Sequence, residues 1–241
     1  MINIFFALQV ILISHGKAYQ LKSQDDSIKV ERIFELDSNQ EEKDTRVVVY
    51  AHYAATHGYK SVQVRSPDSD VYFILLHHAS RLSIPILFDT GSGNKKRLIN
   101  ITEQAREFGK KHSESLLSLH ALTGCDTTSC FKGIGKMKPI QVLKKYPEFE
   151  DYLVALGEDW KLDEASFGGV EKFICYLYGF KRFVKVDKLR YHMLQKKCNN
   201  SGVINPKKIV DLGALPPCQS SLTQHIIRTN FQVYIISIFK K

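Results

Sequence analysis

The chain has 241 residues, 44% hydrophobic and 24% charged, enough to bury a substantial core and ordinary for a globular protein. No long low-complexity tract or short-period repeat is visible, which excludes fibrous and solenoid classes. Lysine and arginine outnumber aspartate and glutamate by 34 to 25, for a formal net charge of +9, so the surface favours polyanions such as nucleic acid or anionic lipid, the plainer reading being a solvated lysine-rich surface.

The first twenty residues, MINIFFALQVILISHGKAYQ, are mostly apolar from Ile4 to Ile13. They lack a positive leading region and the run is too short to span a membrane, so they read as a signal-peptide core or as a buried strand or helix. Lys22 to Asp37 reads as an irregular connection or a strand with loops. Ser38-Asn39-Gln40-Glu41 matches a capping box, which predicts a helix through Thr56 that ends at Gly58. Ser61 to Arg65 alternates as a strand, and Val71 to Leu76 leads a helix through Arg81. Ile84 to Phe88 and Arg97 to Ile101 are further strands, with a turn at Gly91–Asn94. Helices follow from Thr102 and from Ser113 to Leu122. After Tyr146 the expected helices are Glu148–Leu156, Asp163–Tyr178, Lys185–Cys198 and Ser220–Phe239. Strand and helix in alternation, then helices only, predict an α/β fold with a parallel layer and a helical C-terminal region, divided near residue 150.

Five cysteines, Cys125, Cys130, Cys175, Cys198 and Cys218, are odd in number and irregular in spacing. No CxxC or His/Cys metal pattern accompanies them, which points to inert thiols in a reducing compartment, nuclear or cytoplasmic, and weighs against secretion. His77-His78 are neighbours on a helix and so face different ways; they read as partly exposed packing rather than metal ligands. Trp160, Phe173, Tyr176, Tyr178 and Phe180 could stack bases, but their near-helical spacing reads as core.

Three acidic groups fall where an α/β fold places its sites. Glu42 and Asp44 belong to the start of the capped helix, Asp68 and Asp70 to the loop that follows a strand, and Asp126 to the segment GCDTTSCFKGIGK. Carboxylates suit hard cations such as Mg2+ or Mn2+, and several from different elements can hold ions for phosphodiester cleavage. Each also has a plainer reading: solvated acids for Glu42 and Asp44, an acidic turn for Asp68 and Asp70, a helix cap for Asp126. Gly133-Ile134-Gly135 ahead of Lys136 and Lys138 lets the main chain approach a phosphate at a helix start, while the lysines add salt-dependent attraction.

The order E-x-D, S-P-D-S-D, then G-C-D-T-T-x-x-x-x-G-I-G resembles the flap-endonuclease family of structure-specific nucleases, over roughly residues 38 to 150. That resemblance implies a PIN-like three-layer parallel sheet and metal ligation by Glu42, Asp44, Asp68, Asp70 and Asp126, with Asp68, Asp70 and Asp126 catalytic. It also implies a helix–two-turn–helix at Gly133, Ile134, Gly135, Lys136 and Lys138 that grips duplex DNA backbone, with K+ at the hairpin. The motifs QEEKDTR, SPDSDV, LHALTGCDTTS and GIGK are similar to those of an animal group tied to mobile elements. Its L-P-P…L…H…R-A-N-Y-Q tail is matched by Leu215-Pro216-Pro217, Leu222, His225, Arg228 and Thr229-Asn230-Phe231-Gln232. The chain departs from the nuclease pattern in three ways. Nothing around Asp25 and Asp26 matches the family's two N-terminal carboxylates, so the N-terminal part is expected to be truncated or rearranged. Asp44 replaces a glutamate, and Lys136-Met137 replace the hairpin's proline and lysine. The expected function is therefore a divalent-metal-dependent nuclease-like domain acting on nucleic acid by structure rather than sequence, without a small-molecule cofactor or membrane. The alternative is a non-catalytic nucleic-acid-binding or scaffold relative.

Overall fold

The computed structural model describes residues 2–6, 9–14, 17–24, 27–37, 44–198 and 211–238. The protein is mixed α/β and divides by packing into two compact units, Met1–Thr102 and Glu103–Lys241. Among the described residues every named strand lies in the first unit. The hairpin segment, which the sequence reading grouped with the strands up to residue 150, packs with the C-terminal helices.

The apolar N-terminus takes its strand alternative. Strands β1 (Ile2–Phe6), β2 (Gln9–Ser14), β3 (Lys17–Gln24) and β4 (Ser27–Arg32) form an antiparallel meander in the order β1-β2-β3-β4. Ile11 on β2 and Ala18 on β3 are fully buried and form one core with Leu36 and Tyr50. Leu36 is carried inward by a single 3-10 turn at Phe34–Leu36. Asp37 fixes that turn: its carboxylate accepts from the Ala18 amide at 3.2 Å and from Arg32 Nη2 at 2.6 Å. The Arg32 guanidinium holds the Asp37 pKa below the usual carboxylate range.

Helix α1 (Arg46–Thr56) buries Val47, Val48, Tyr50, Ala51 and Ala54, a spacing of three and four that makes one inward face. It starts at Arg46; the capping box from Ser38 to Glu41 lies outside the described residues. Strand β5 (Val62–Arg65) leads into helix α2 (Ser69–His78), then β6 (Ile86–Thr90) and β7 (Arg97–Asn100). β5 pairs parallel with β6, which the crossover through α2 allows, and Tyr72 of α2 lies against Phe88 of β6 at 5.9 Å between rings. The parallel layer stops there. β7 runs antiparallel to β6, because Gly91–Lys96 is a short turn and a parallel return needs a dozen or more residues.

The second unit holds the rest of α3 (Ile101–Leu122, broken at Gly109), α4 (Met137–Lys145), α5 (Glu150–Val154), α6 (Glu164–Leu177), α7 (Val186–Lys197) and α8 (Gln219–Ser237). Helix α6 is its centre. Asp163 caps it by accepting from the Ser166 amide at 2.9 Å, and Val170, Phe173, Ile174, Cys175 and Leu177 are fully buried. Burial pushes the Cys175 thiol up to about 12, so it is an inert thiol, as the sequence suggested.

The end of α6 forms a Schellman motif: Gly179 N–H donates to Tyr176 C=O, and Phe180 N–H to Cys175 C=O. Gly179 has φ +87, which a side chain rarely tolerates. The following turn is held by Glu171, itself fully buried on α6. Its carboxylate accepts from the Val186 amide at 2.9 Å and from Lys185 Nζ at 2.8 Å. Lys185 is about half exposed, so water can replace its bond, whereas the buried Val186 amide has no such option. Glu171→Ala is expected to cost about 1–3 kcal/mol, the penalty for that stranded donor, read as a lower denaturant midpoint; Lys185→Ala should cost under about 1 kcal/mol.

Candidate nucleic-acid interface

A helix ends with carbonyls that have no partner within it. At the buried end of α3 they are satisfied by side chains that come from three places in the sequence. Thr128 Oγ1 donates to Ala121 C=O at 2.5 Å, and His225 Nε2 on α8 donates to Leu122 C=O at 2.8 Å. Lys136 Nζ donates to His120 C=O at 2.7 Å, to Thr123 Oγ1 at 3.3 Å and to Gly124 C=O. Together these bonds set the whole path from Gly124 to α4.

That path consists of three tight turns. Cys125–Thr128 closes with Thr128 N–H on Cys125 C=O at 3.3 Å, while Cys125 N–H donates to Thr128 Oγ1 at 3.1 Å. Asp126 is exposed at its tip; it does not cap a helix. In the second turn Ile134 N–H donates to Phe131 C=O at 3.0 Å, with Gly133 at φ +76. In the third, Lys138 N–H donates to Gly135 C=O at 3.2 Å and α4 begins. The side chain of Ile134 is buried, while Gly133, Gly135 and Lys138 are exposed. The helix, two glycine turns and lysine-bearing helix expected from the sequence are therefore present as a shape.

Two details differ from expectation. The Ile134 amide is spent inside the turn and does not face solvent. Lys136 does not project toward a ligand, because the α3 carbonyls are buried and draw its ammonium inward. Of the two expected lysines, Lys138 is the exposed one.

The acidic residues are divided between the units. Glu42 lies outside the described residues. Asp44 stands in a turn before α1, where its carbonyl accepts from the Val47 amide at 3.3 Å, rather than inside the helix. Asp68 is the N-cap of α2, its Oδ1 accepting from the Asp70 amide at 2.9 Å. Asp126 belongs to the second unit. Among the described residues no three His, Cys, Asp or Glu side chains come together to hold a metal ion. The donors are all oxygen, which suits Mg2+ or Mn2+ in kind.

No family model, curated protein or solved structure matches the chain.

Sequence reasoning missed Asp89. It sits in β6 opposite Arg65 of β5, 3% exposed, and its carbonyl accepts from the Ser66 amide at 3.1 Å. Ser66 Oγ in turn accepts from the Asp68 amide at 3.0 Å, so Asp89 and the Asp68 loop share the carboxyl end of the parallel pair. Asp89 Oδ2 lies 3.3 Å from Gln63 Nε2 and 3.4 Å from Lys96 Nζ, while its buried Oδ1 has no hydrogen-bond partner. The only trace in the sequence is an acid closing an apolar run.

His77 and His78 are both buried, at 6% and 1% exposure, not partly exposed: α2 is enclosed on nearly every side, with Val71, Ile74, Leu75 and Leu76 also buried. Of the aromatics read as core, Phe173 is fully buried and Tyr176, Tyr178 and Phe180 are half-buried, whereas Trp160 is 60% exposed and is not core. The tail motif has a structural use. Leu215 and Leu222 are buried, Leu215 C=O accepts from Tyr178 Oη at 3.4 Å, and Pro216 C=O accepts from Arg190. Asn230 Oδ1 accepts from the Gly157 amide at 2.9 Å and its Nδ2 donates to Asp159 C=O at 2.9 Å.

Two outcomes follow from the α3 cap. Lys136→Met should lower stability by about 1.5–3 kcal/mol, a charge-assisted bond lost at a buried helix end, measurable by urea denaturation; no change would show the cap to be dispensable. Burial, with a smaller contribution from Arg228, pushes the His225 pKa below its usual value. The unfolded chain then binds the proton first, so His225 stabilises the fold fully above about pH 6.5 and less as pH falls through that value. Melting temperature should drop between pH 7.5 and 5.5, and His225→Gln should flatten that drop.

Proposed function

We propose that this protein binds nucleic acid, DNA in the first instance, by gripping the duplex backbone without reading base sequence, as the resemblance to the flap-endonuclease family implies. Gly135 carries the reading. Gly133 is explained by its positive φ, but Gly135 is not, and a Cβ built on it would meet nothing within 4 Å. The fold therefore has no need of glycine there, whereas a phosphate laid against the main chain does. Exposed Lys138 and the net charge of +9 add the attraction that such contact uses. The potassium ion of the family's hairpin belongs to the same reading.

Gly135→Ala should leave the melting temperature unchanged and weaken binding of a 20-base-pair duplex roughly tenfold, the loss of one charge-assisted bond to phosphate. Lys138→Glu should reduce the slope of log affinity against log salt by roughly 0.9 or more. Full affinity and slope in both variants, measured by fluorescence anisotropy, would show that the hairpin only shapes the fold.

The second reading is metal-dependent cleavage within a PIN-like layer. It is favoured by Asp68, Asp70 and the half-satisfied Asp89 at the carboxyl end of a parallel pair, the edge at which open α/β sheets bind ligands. Cleavage of branched or single-stranded DNA with Mn2+, stopped by chelator and abolished by Asp68→Asn, is its expected signature. Cleavage that persists in both Asp68→Asn and Asp126→Asn would remove these acids from the chemistry.

A further inference from the structure

The turn between α6 and α7 holds a group of aromatic rings with cations lying over them. Phe180, Phe183 and His192 are mutually in contact: ring centres are 6.2 Å apart for Phe180–Phe183, 5.5 Å for Phe180–His192 and 5.2 Å for Phe183–His192. Each ring is partly exposed. Arg182 Cζ lies 5.0 Å from the Phe183 centroid, and Lys196 Nζ lies 5.2 Å from that of Phe180. Arg182 Nη2 lies 3.0 Å from His192 Nε2 and 3.5 Å from its Nδ1. Burial, then the nearby Arg182 and Lys196, lower the His192 pKa, so the ring is uncharged at neutral pH and stacks as an aromatic.

The group continues toward α4. Lys181, next to Phe180, lies 4.9 Å from the Tyr146 centroid, and Lys145 approaches the same ring at 6.0 Å. Tyr146 follows the last residue of α4, the helix that starts at the glycine turns. Nine residues of helix separate the two features by about 13 Å, a few nucleotides of extended strand. Among the described residues Lys181, Arg182 and Lys196 make no ion pair with an acid. Glu171 on α6 is buried and taken up by Lys185 and the Val186 amide.

Cations held over partly exposed rings, with no acid paired to them among the described residues, complement a partner that is anionic along its backbone and flat and aromatic in its side groups. We propose that the Tyr146–Phe180–Phe183–His192 belt is a single-strand platform, on which unpaired bases stack against Phe183 and Phe180 while Lys181, Arg182 and Lys196 follow the phosphates. Stacking accepts any base, so the platform is sequence-tolerant, and a duplex, whose bases are already stacked, gains only the charge. The platform shares its partner class with the hairpin but uses different residues, so either can fail alone.

The test uses the full chain, a fluorescein-labelled fifteen-nucleotide dT strand, a duplex of the same length, and unlabelled heparin as competitor. Phe183→Ala should weaken dT binding about tenfold, with duplex binding unchanged, and Phe183→Trp should restore it. Arg182→Gln with Lys196→Gln should reduce the salt slope for dT by roughly 1.4. Lys138→Glu should weaken the duplex much more than dT; if it alone has no effect, the hairpin reading fails and the platform stands. The platform is overturned if wild-type protein does not bind dT, or if Phe183→Ala, with an unchanged circular dichroism spectrum and melting point, keeps full affinity. It is also overturned if heparin competes equally well before and after Phe183→Ala, since the surface would then respond to charge alone.

Discussion

The buried C-terminus of α3 is the constraint around which the second unit is arranged. A helix end removed from water must find donors for its last carbonyls or lose the free energy of those bonds. Here Thr128, Lys136 and His225 supply them, from the following turn, the start of α4 and the distant α8. One requirement thereby fixes the hairpin, the direction of α4 and the position of the last helix. It also explains why a lysine occupies position 136. That ammonium is a helix cap, and a side chain used in this way is withdrawn from any ligand.

A second buried polar group, Glu171, does for the α6–α7 turn what the α3 carbonyls do for the hairpin. It satisfies the Val186 amide at the start of α7 and leaves only a half-exposed lysine to balance its charge. With the Schellman motif at Gly179 it holds Phe180 and Phe183 in a fixed turn outside the core. Both candidate contact surfaces of this unit are thus irregular segments set by buried hydrogen bonds. Binding segments commonly take this form, since loops reach partners only when a rigid frame positions them.

The acidic residues show the opposite arrangement. Asp68 and Asp70 belong to a helix start in the first unit and Asp126 to a turn tip in the second. Asp68 has a local structural use as an N-cap, and acidic caps of this kind are common at loop–helix junctions. Asp89 is distinctive because it is buried with one oxygen unsatisfied, a condition that calls for an explanation in any fold.

Much of the fold was legible in the sequence. Period-two alternation marked β5, and the helix expected over Asp163–Tyr178 matches α6, because such signals act over a few residues. The glycine turns and the lysine-bearing helix were legible for the same reason. What the sequence could not show depends on burial and on contacts between distant residues. Lys136 reads as a surface cation until the α3 carbonyls are seen to be enclosed beside it. β7 reads as one more parallel strand until the short turn before it forces an antiparallel return. Phe180 reads as core from its near-helical spacing until the turn after α6 is seen to leave the ring partly exposed with Lys196 over it. Asp89 closes an unremarkable apolar run until pairing places it beside the Asp68 loop. Sequence determined the elements and their chemical types through local backbone preference and periodicity. Only tertiary structure decided which polar groups lose water, and hence which side chains are committed to the fold and which remain open to a partner.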